Sequence, residues 1–305
     1  MIYLDHNSTT PIAPEVAAAM SECYASGYLN PASQHELGRK ARRRLEEARE
    51  EIAELLGAKV TGMDADSVIF TSGGTEANNL ALLGLANRGS EPQSFAISSI
   101  EHPSVVGAAE ELQRSGWKLE RLNVSTDGVV DLQNMEEFLH AALISLMLGN
   151  NETGVLQPVR EVATLCREAD VVMHTDAVQV AGKMPLDFRE LGVDAMTVTA
   201  HKFHGPRGIG ALVLRHGVQL DPLFYGGFQQ AGLRPGTEDV ALAVGMQTAL
   251  RLAVTDLANR QQRMQQLRDS LEQQLRAGDS TIVINGENAP RLPHTDQAGR
   301  CAHPA

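Results

Sequence analysis

Three short stretches carry residue types whose spacing suits chemistry. Thr71-Ser72-Gly73-Gly74-Thr75-Glu76 follows an apolar run and opens a helical pattern. Small residues, backbone amides and a helix N-terminus together suit a phosphate, although a glycine pair before a helix is also an ordinary turn. The run VVMH closes with Thr175 and Asp176, and Gln179 follows three residues later. A carboxylate ending a buried strand needs a cationic partner, and a protonated pyridine nitrogen is one; a helix N-cap is the competing reading. The run AMTVTA ends in His201-Lys202-Phe203-His204-Gly205-Pro206. The chain has only five lysines, Lys40, Lys59, Lys118, Lys183 and Lys202, and only Lys202 directly follows a buried strand. A lysine there, partly desolvated, suits Schiff-base chemistry, with Lys183 as the reserve candidate. The histidine spacings match neither HExxH nor a cysteine-bearing metal site, so no metal is expected.

These residues need elements to position them. Helices are expected over Pro14–Ala25 and Glu36–Leu56, the second with an apolar stripe of Leu45, Ala48, Ile52, Leu55 and Leu56 before Gly57 at its C-terminal cap. Apolar runs at Ser67–Phe70, Phe95–Ser98, Leu143–Leu148, Val171–His174, Ala195–Thr199 and Gly210–Leu214 mostly alternate with helical patterns. Continuous rather than alternating hydrophobicity marks strands covered on both faces, so the class is α/β with a mostly parallel sheet. In such sheets ligands bind beyond the carboxyl ends of the strands, where the three stretches fall. One join is odd: the helical pattern Met135–Ala142 enters LISLML with no Gly, Pro, Asn or Asp to turn the chain. A long helical pattern from Glu238 to Arg276 leads away from the first domain, followed by one strand at Thr281–Asn285 and a turn at Ala289–Pro293.

Composition narrows the function. The chain has 305 residues, 43% of them hydrophobic, enough for a large core and a smaller second domain. Its net charge is −12, and its one basic run, Arg39 to Arg44, is followed at once by glutamates that pair with it at helical spacing. Nucleic acid is therefore not an expected partner. Three dispersed cysteines, Cys23, Cys166 and Cys301, argue against a disulfide framework or zinc site. The start MIYLDHNSTTP lacks signal-peptide regions and no apolar run reaches membrane-span length, so the expected compartment is a reducing cytoplasm, with no membrane partner.

The ordered blocks YLDHNSTTP, SGGTEANN, EHPSV, NNETGVLQP, HTDAVQ, TAHKFHGPRGIG and RPGTED resemble the cysteine desulfurases of the iron-sulfur assembly and nitrogen-fixation type, within the class V aminotransferase group. The resemblance implies a pyridoxal 5'-phosphate (PLP) transferase of fold type I that takes sulfur from L-cysteine, leaving L-alanine and an enzyme persulfide. It implies Gly74 and Thr75 at the cofactor phosphate, with Thr199 and His201 helping to bind it and to position Lys202, the covalent attachment point. His102 would stack on the ring and transfer protons. Asn151 and Gln179 would bond near the phenolic oxygen, and Asp176 would hold the ring nitrogen protonated. Thr237 would reach the phosphate of the other subunit of a homodimer. A sulfur-acceptor or scaffold protein of iron-sulfur assembly is the implied macromolecular partner.

The resemblance ends at about Thr295. The tail DQAGRCAHPA has no apolar periodicity, so the expectation is a chain that stops before the family's cysteine loop and its carboxylate-binding arginine, as a frameshift or premature stop would leave it. Cys301 does not sit in the small-residue loop typical of the family, and Cys23 and Cys166 read as small core residues. The expected organisation is an N-terminal segment over 1–12, a large cofactor domain over 13–245, and a long helix with an incomplete C-terminal domain over 246–305. Two further readings stand beside the desulfurase: another class V lyase or transaminase, and a remnant without enzymatic activity.

Overall fold

The computed structural model describes residues 2–86 and 91–300. Its first part runs α1 (Pro14–Ala25), α2 (Glu36–Leu55), β1 (Ser67–Thr71), α3 (Gly74–Ala86), β2 (Ser94–Ser98), α4 (Pro103–Arg114), β3 (Lys118–Leu122) and β4 (Leu143–Ser145). There follow α5 (Val159–Glu168), β5 (Val172–Asp176), α6 (Phe188–Leu191), β6 (Ala195–Thr199), β7 (Gly210–Leu214), α7 (Val240–Thr255), α8 (Leu257–Gly278), β8 (Ile282–Ile284) and β9 (Ala298–Arg300). Seven strands form one sheet in the order β1-β7-β6-β5-β4-β2-β3, parallel except where β7 pairs antiparallel with β1 and β6. Strands β5, β6 and β7 are buried along their whole length, as their continuous hydrophobicity requires.

Alternate residues of each strand feed two cores. Phe70, Ala96, Met196 and Val213 face a core with α1, α2, α5 and α7, whereas Ile69, Phe95, Ala195 and Leu212 face one with α3 and α4. Helix α2 ends where Gly57 takes a φ of +73°, as the sequence suggests.

The elements differ from the expected ones in several places. Strand β3 was not foreseen: at the sheet edge, its KLERL pattern mixes charge with leucine and lacks the apolar run of a central strand. The helical reading of Met135–Ala142 is replaced by a 3-10 helix, Leu132–Phe138, and a turn that needs no special residue before β4, which itself stops at Ser145. The pattern over Glu238–Arg276 is two helices, bent by 73° where Asp256 interrupts them. Residue 245 lies within α7, whose buried face packs on α1 and α2. Strand β8 pairs antiparallel with β9, which lies in the tail read from sequence as patternless. Cys301 lies outside the described residues.

Candidate active site

A cavity of about 530 Å³ opens beyond the carboxyl ends of β4, β5 and β6. It is lined by Gly74, Thr75, His102, Asn151, Asp176, Gln179, Thr199, His201 and Lys202, so nine sequence-derived site residues converge there. Thr237 does not line it; that residue is exposed on the loop before α7.

Each strand end delivers its residue for a local reason. Asp176 is the last residue of β5 and 5% exposed, and burial pushes its carboxyl above the usual range. Asn78 and the Val178 amide donate to it, and the charge of nearby Lys202 opposes the shift, but both hydrogen-bond donors are neutral. A buried carboxylate so placed favours a cationic N–H entering the cavity. Lys202 ends the short 3-10 turn after β6, where burial lowers its ammonium from the ordinary lysine range against the pull of Asp176 and Asp5. Its Nζ donates to the carbonyls of Asn7 and Ser8. The N-terminal segment is anchored there by Thr10, whose amide bonds His201 O at 2.9 Å. Burial likewise brings His201 down to about 4, so it is neutral near pH 7, with Nδ1 3.1 Å from Thr9 Oγ1.

Helix α3 begins at Gly74, and a Cβ there would come within 3.2 Å of Val178 Cγ2. The missing side chain leaves the first turn open to an anion. Gln179 donates from Nε2 to Asn7 O at 2.9 Å and accepts from Lys183 Nζ at 2.8 Å. Burial brings Lys183 down to about 7, and its amine is engaged with Gln179 rather than lining the cavity, which removes it as the reserve attachment point. Thr199 lines the cavity, but its hydroxyl donates to Ile209 O at 3.1 Å, so toward a phosphate it has only lone pairs to offer.

Sequence reasoning missed Asp5, Asn7, Ser8, Asn78 and Ser104, all at the cavity. Asn78 was within reach, since it lies four residues after Gly74 and so on the same helical face. The N-terminal residues carried no such signal, because only the fold lays them against Lys202. The two described cysteines are remote from this chemistry: Cys23 and Cys166 are buried, and burial pushes the Cys166 thiol up to about 12.

A lysine, a histidine and a buried aspartate set at the strand ends of a mostly parallel sheet define the class: a fold type I enzyme. The family follows from likeness to known proteins. Residues 2–296 match the class-V aminotransferase family. The cysteine desulfurase IscS of Dictyoglomus turgidum is 40% identical over 96% of this chain and 74% of its own length. A solved NifS-like protein superposes with a TM-score of 0.90 at 34% identity, covering 97% of this chain and 81% of that one. The solved structure described as SspA in complex with cysteine gives 0.86 at 30% identity, covering 98% and 84%. The chain belongs to the cysteine desulfurase family of class V aminotransferases, a PLP-dependent group.

Proposed function

We propose that this chain binds PLP in the cavity and uses it to remove sulfur from L-cysteine, leaving L-alanine. The observation that carries the reading is the buried Asp176 carboxylate facing the same cavity as Lys202 and His102. The residues fit the cofactor: Asp176 would pair with its ring nitrogen, Gly74 and Thr75 with its phosphate, Asn151 and Gln179 with its phenolic oxygen, and Lys202 with its aldehyde carbon. When bound, PLP supplies an electron sink for the pair left at the substrate's Cα.

The protein's own groups do the rest. Asp176 would keep the ring nitrogen protonated, because a second charge buried beside it offsets the cost of its own burial. The carbonyls of Asn7 and Ser8 hold the Lys202 amine at the cavity, and burial, which favours its neutral form, suits it to take the Cα proton and return it. Gln179 is oriented by Lys183 at its oxygen and by Asn7 O at one amide hydrogen, so a single Nε2–H, and not its oxygen, remains for the cavity. In the overall change the substrate C–S bond breaks, an S–S bond forms to a thiolate, and the carbon receives a proton. Among the described residues no cysteine lines the cavity, so that thiolate comes from elsewhere. A homodimer in which Thr237 reaches the partner's phosphate, and a sulfur-accepting protein, complete the proposal; the exposed Tyr225 and Phe228 on the loop before Thr237 favour such a contact.

The test is the visible spectrum of PLP-loaded protein, followed by L-cysteine with a thiol reductant as sulfur acceptor. A lysine-bound cofactor band that L-cysteine shifts, with alanine and sulfide in equal amounts, is the expected result. Loaded protein that makes pyruvate or a transaminated product instead would move the assignment to another class V reaction.

A further inference from the structure

Asp176 and His102 come from different elements, the end of β5 and the N-terminus of α4, yet one hydrogen-bond chain joins them. Asn78 of α3 donates from Nδ2 to Asp176 Oδ2 at 2.7 Å and to Ser104 Oγ at 2.8 Å. Ser104 Oγ stands 2.7 Å from His102 Nδ1, and the Ser104 backbone amide donates to the same nitrogen at 3.1 Å. Asn78 is 1% exposed, and its Oδ1 is buried without a partner.

This arrangement fixes where the protons lie. Turning the Asn78 amide over would set its oxygen against the Asp176 carboxylate and forfeit both donations. Leaving one carbonyl oxygen unpaired is the smaller loss. The Ser104 amide already makes His102 Nδ1 an acceptor, and the Ser104 hydroxyl, its oxygen accepting from Asn78, is free to add its own hydrogen to that nitrogen. A ring nitrogen that receives a backbone N–H and a hydroxyl cannot itself carry hydrogen while the imidazole is neutral. The proton must then sit on Nε2.

We infer that Asn78 and Ser104 are positioning residues that lock neutral His102 in its Nε2–H tautomer, presenting a donor and not a base to a molecule in the cavity. The chain passes through Asn78, whose amide neither takes up nor releases a proton, so no relay from Asp176 can free Nε2. Given the proposed function, the Cα proton must leave to Lys202, while His102 steadies a neighbouring acceptor. That consequence rests on the proposed function, whereas the tautomer does not.

The test uses cofactor-free protein labelled with 15N-histidine. Long-range 1H–15N correlation spectra are recorded in alkaline buffer, where imidazoles are neutral, and His102 is assigned by the signal lost in His102→Asn. Wild type is expected to show the pattern of a single Nε2–H tautomer. In Ser104→Ala and Asn78→Ala the two ring-nitrogen frequencies are expected to converge toward a mixture, and in Ser104→Thr the wild-type pattern is expected to return. Circular dichroism identifies folded variants, and the Ser104 pair decides the matter alone if Asn78→Ala does not fold. An Nδ1–H pattern in wild type overturns the inference. So does an unchanged pattern in the folded alanine variants, because the helix-capping amide would then suffice. Failure to desulfurate L-cysteine would sink the proposed function while leaving this spectrum as it stands.

Discussion

Lys202 and Asp176 share one cavity but would fail in different ways. Lys202→Ala removes the only lysine lining the cavity among the described residues, and Lys183 is engaged with Gln179, so borohydride treatment of the loaded variant should leave no cofactor mass on the chain. Asp176→Ala should still attach cofactor at Lys202 yet lose at least about a hundredfold in turnover, the scale of losing one preorganised electrostatic partner. Stable labelling in the first variant, or undiminished turnover in the second, would refute these roles. Glu101, beside His102, adds a pH effect. Its Oε1 accepts from Ser98 and the Met147 amide, its Oε2 is buried and unpartnered, and burial raises its pKa to about 8 from an unperturbed 4.5. The folded state therefore binds this proton more tightly than the unfolded one, and the stability it contributes is full below pH 4.5 and lost as pH rises through 8. Glu101→Gln keeps the accepting oxygen and cannot ionise. Its melting temperature relative to wild type should climb across that window, and a flat difference would show that Glu101 is not held protonated.

At the scale of elements, edge strand β1 shows how the loop before α7 is held. The Gln230 side chain pairs with Phe70 as a neighbouring strand would, accepting from its amide at 2.7 Å and donating to its carbonyl at 2.9 Å. Arg49 of α2 donates to Gln230 Oε1 and to Glu238, with its guanidinium 4.5 Å from the Phe70 ring centre. Gln230 itself holds a φ of +50°, a conformation a non-glycine residue keeps only when its surroundings dictate it. The loop is thereby fixed against β1, and Arg234 binds Glu76 in the first turn of α3, the helix whose start lines the cavity. Gln230→Ala should cost about 1–3 kcal/mol, since two backbone groups lose their partners, as read from the urea midpoint. A midpoint unchanged from wild type would mean water replaces the amide freely.

At the scale of the whole molecule, a site shared between two subunits should show complementation between variants. If Thr237 serves the partner's phosphate, each site draws Lys202 from one chain and Thr237 from the other. Mixing Lys202→Ala with Thr237→Ala under conditions that allow subunit exchange should then regenerate intact sites, seen as a class of tight PLP sites absent from both parents. If the mixture binds only as the sum of its parents, Thr237 acts within its own chain or not at all.

How much of this was legible depends on how local each signal is. The α/β class, the buried strands and the residues that end them could be read directly, because a strand covered on both faces must be apolar throughout and its polar terminus then stands out. Lys202 could be singled out from five lysines for that reason, and the ordered blocks named the family. The charged edge strand β3, the bend at Asp256 and the exposure of Thr237 could not be read, since each depends on what packs alongside. Nor could the N-terminal carbonyls on Lys202, or the Asn78–Ser104 chain from Asp176 to His102. Sequence fixes which groups exist and which face of an element bears them. Which donor meets which acceptor across 98 residues, as between Asn78 and Asp176, is decided only when the sheet closes, because hydrogen bonds act over about 3 Å and carry no trace in sequence spacing.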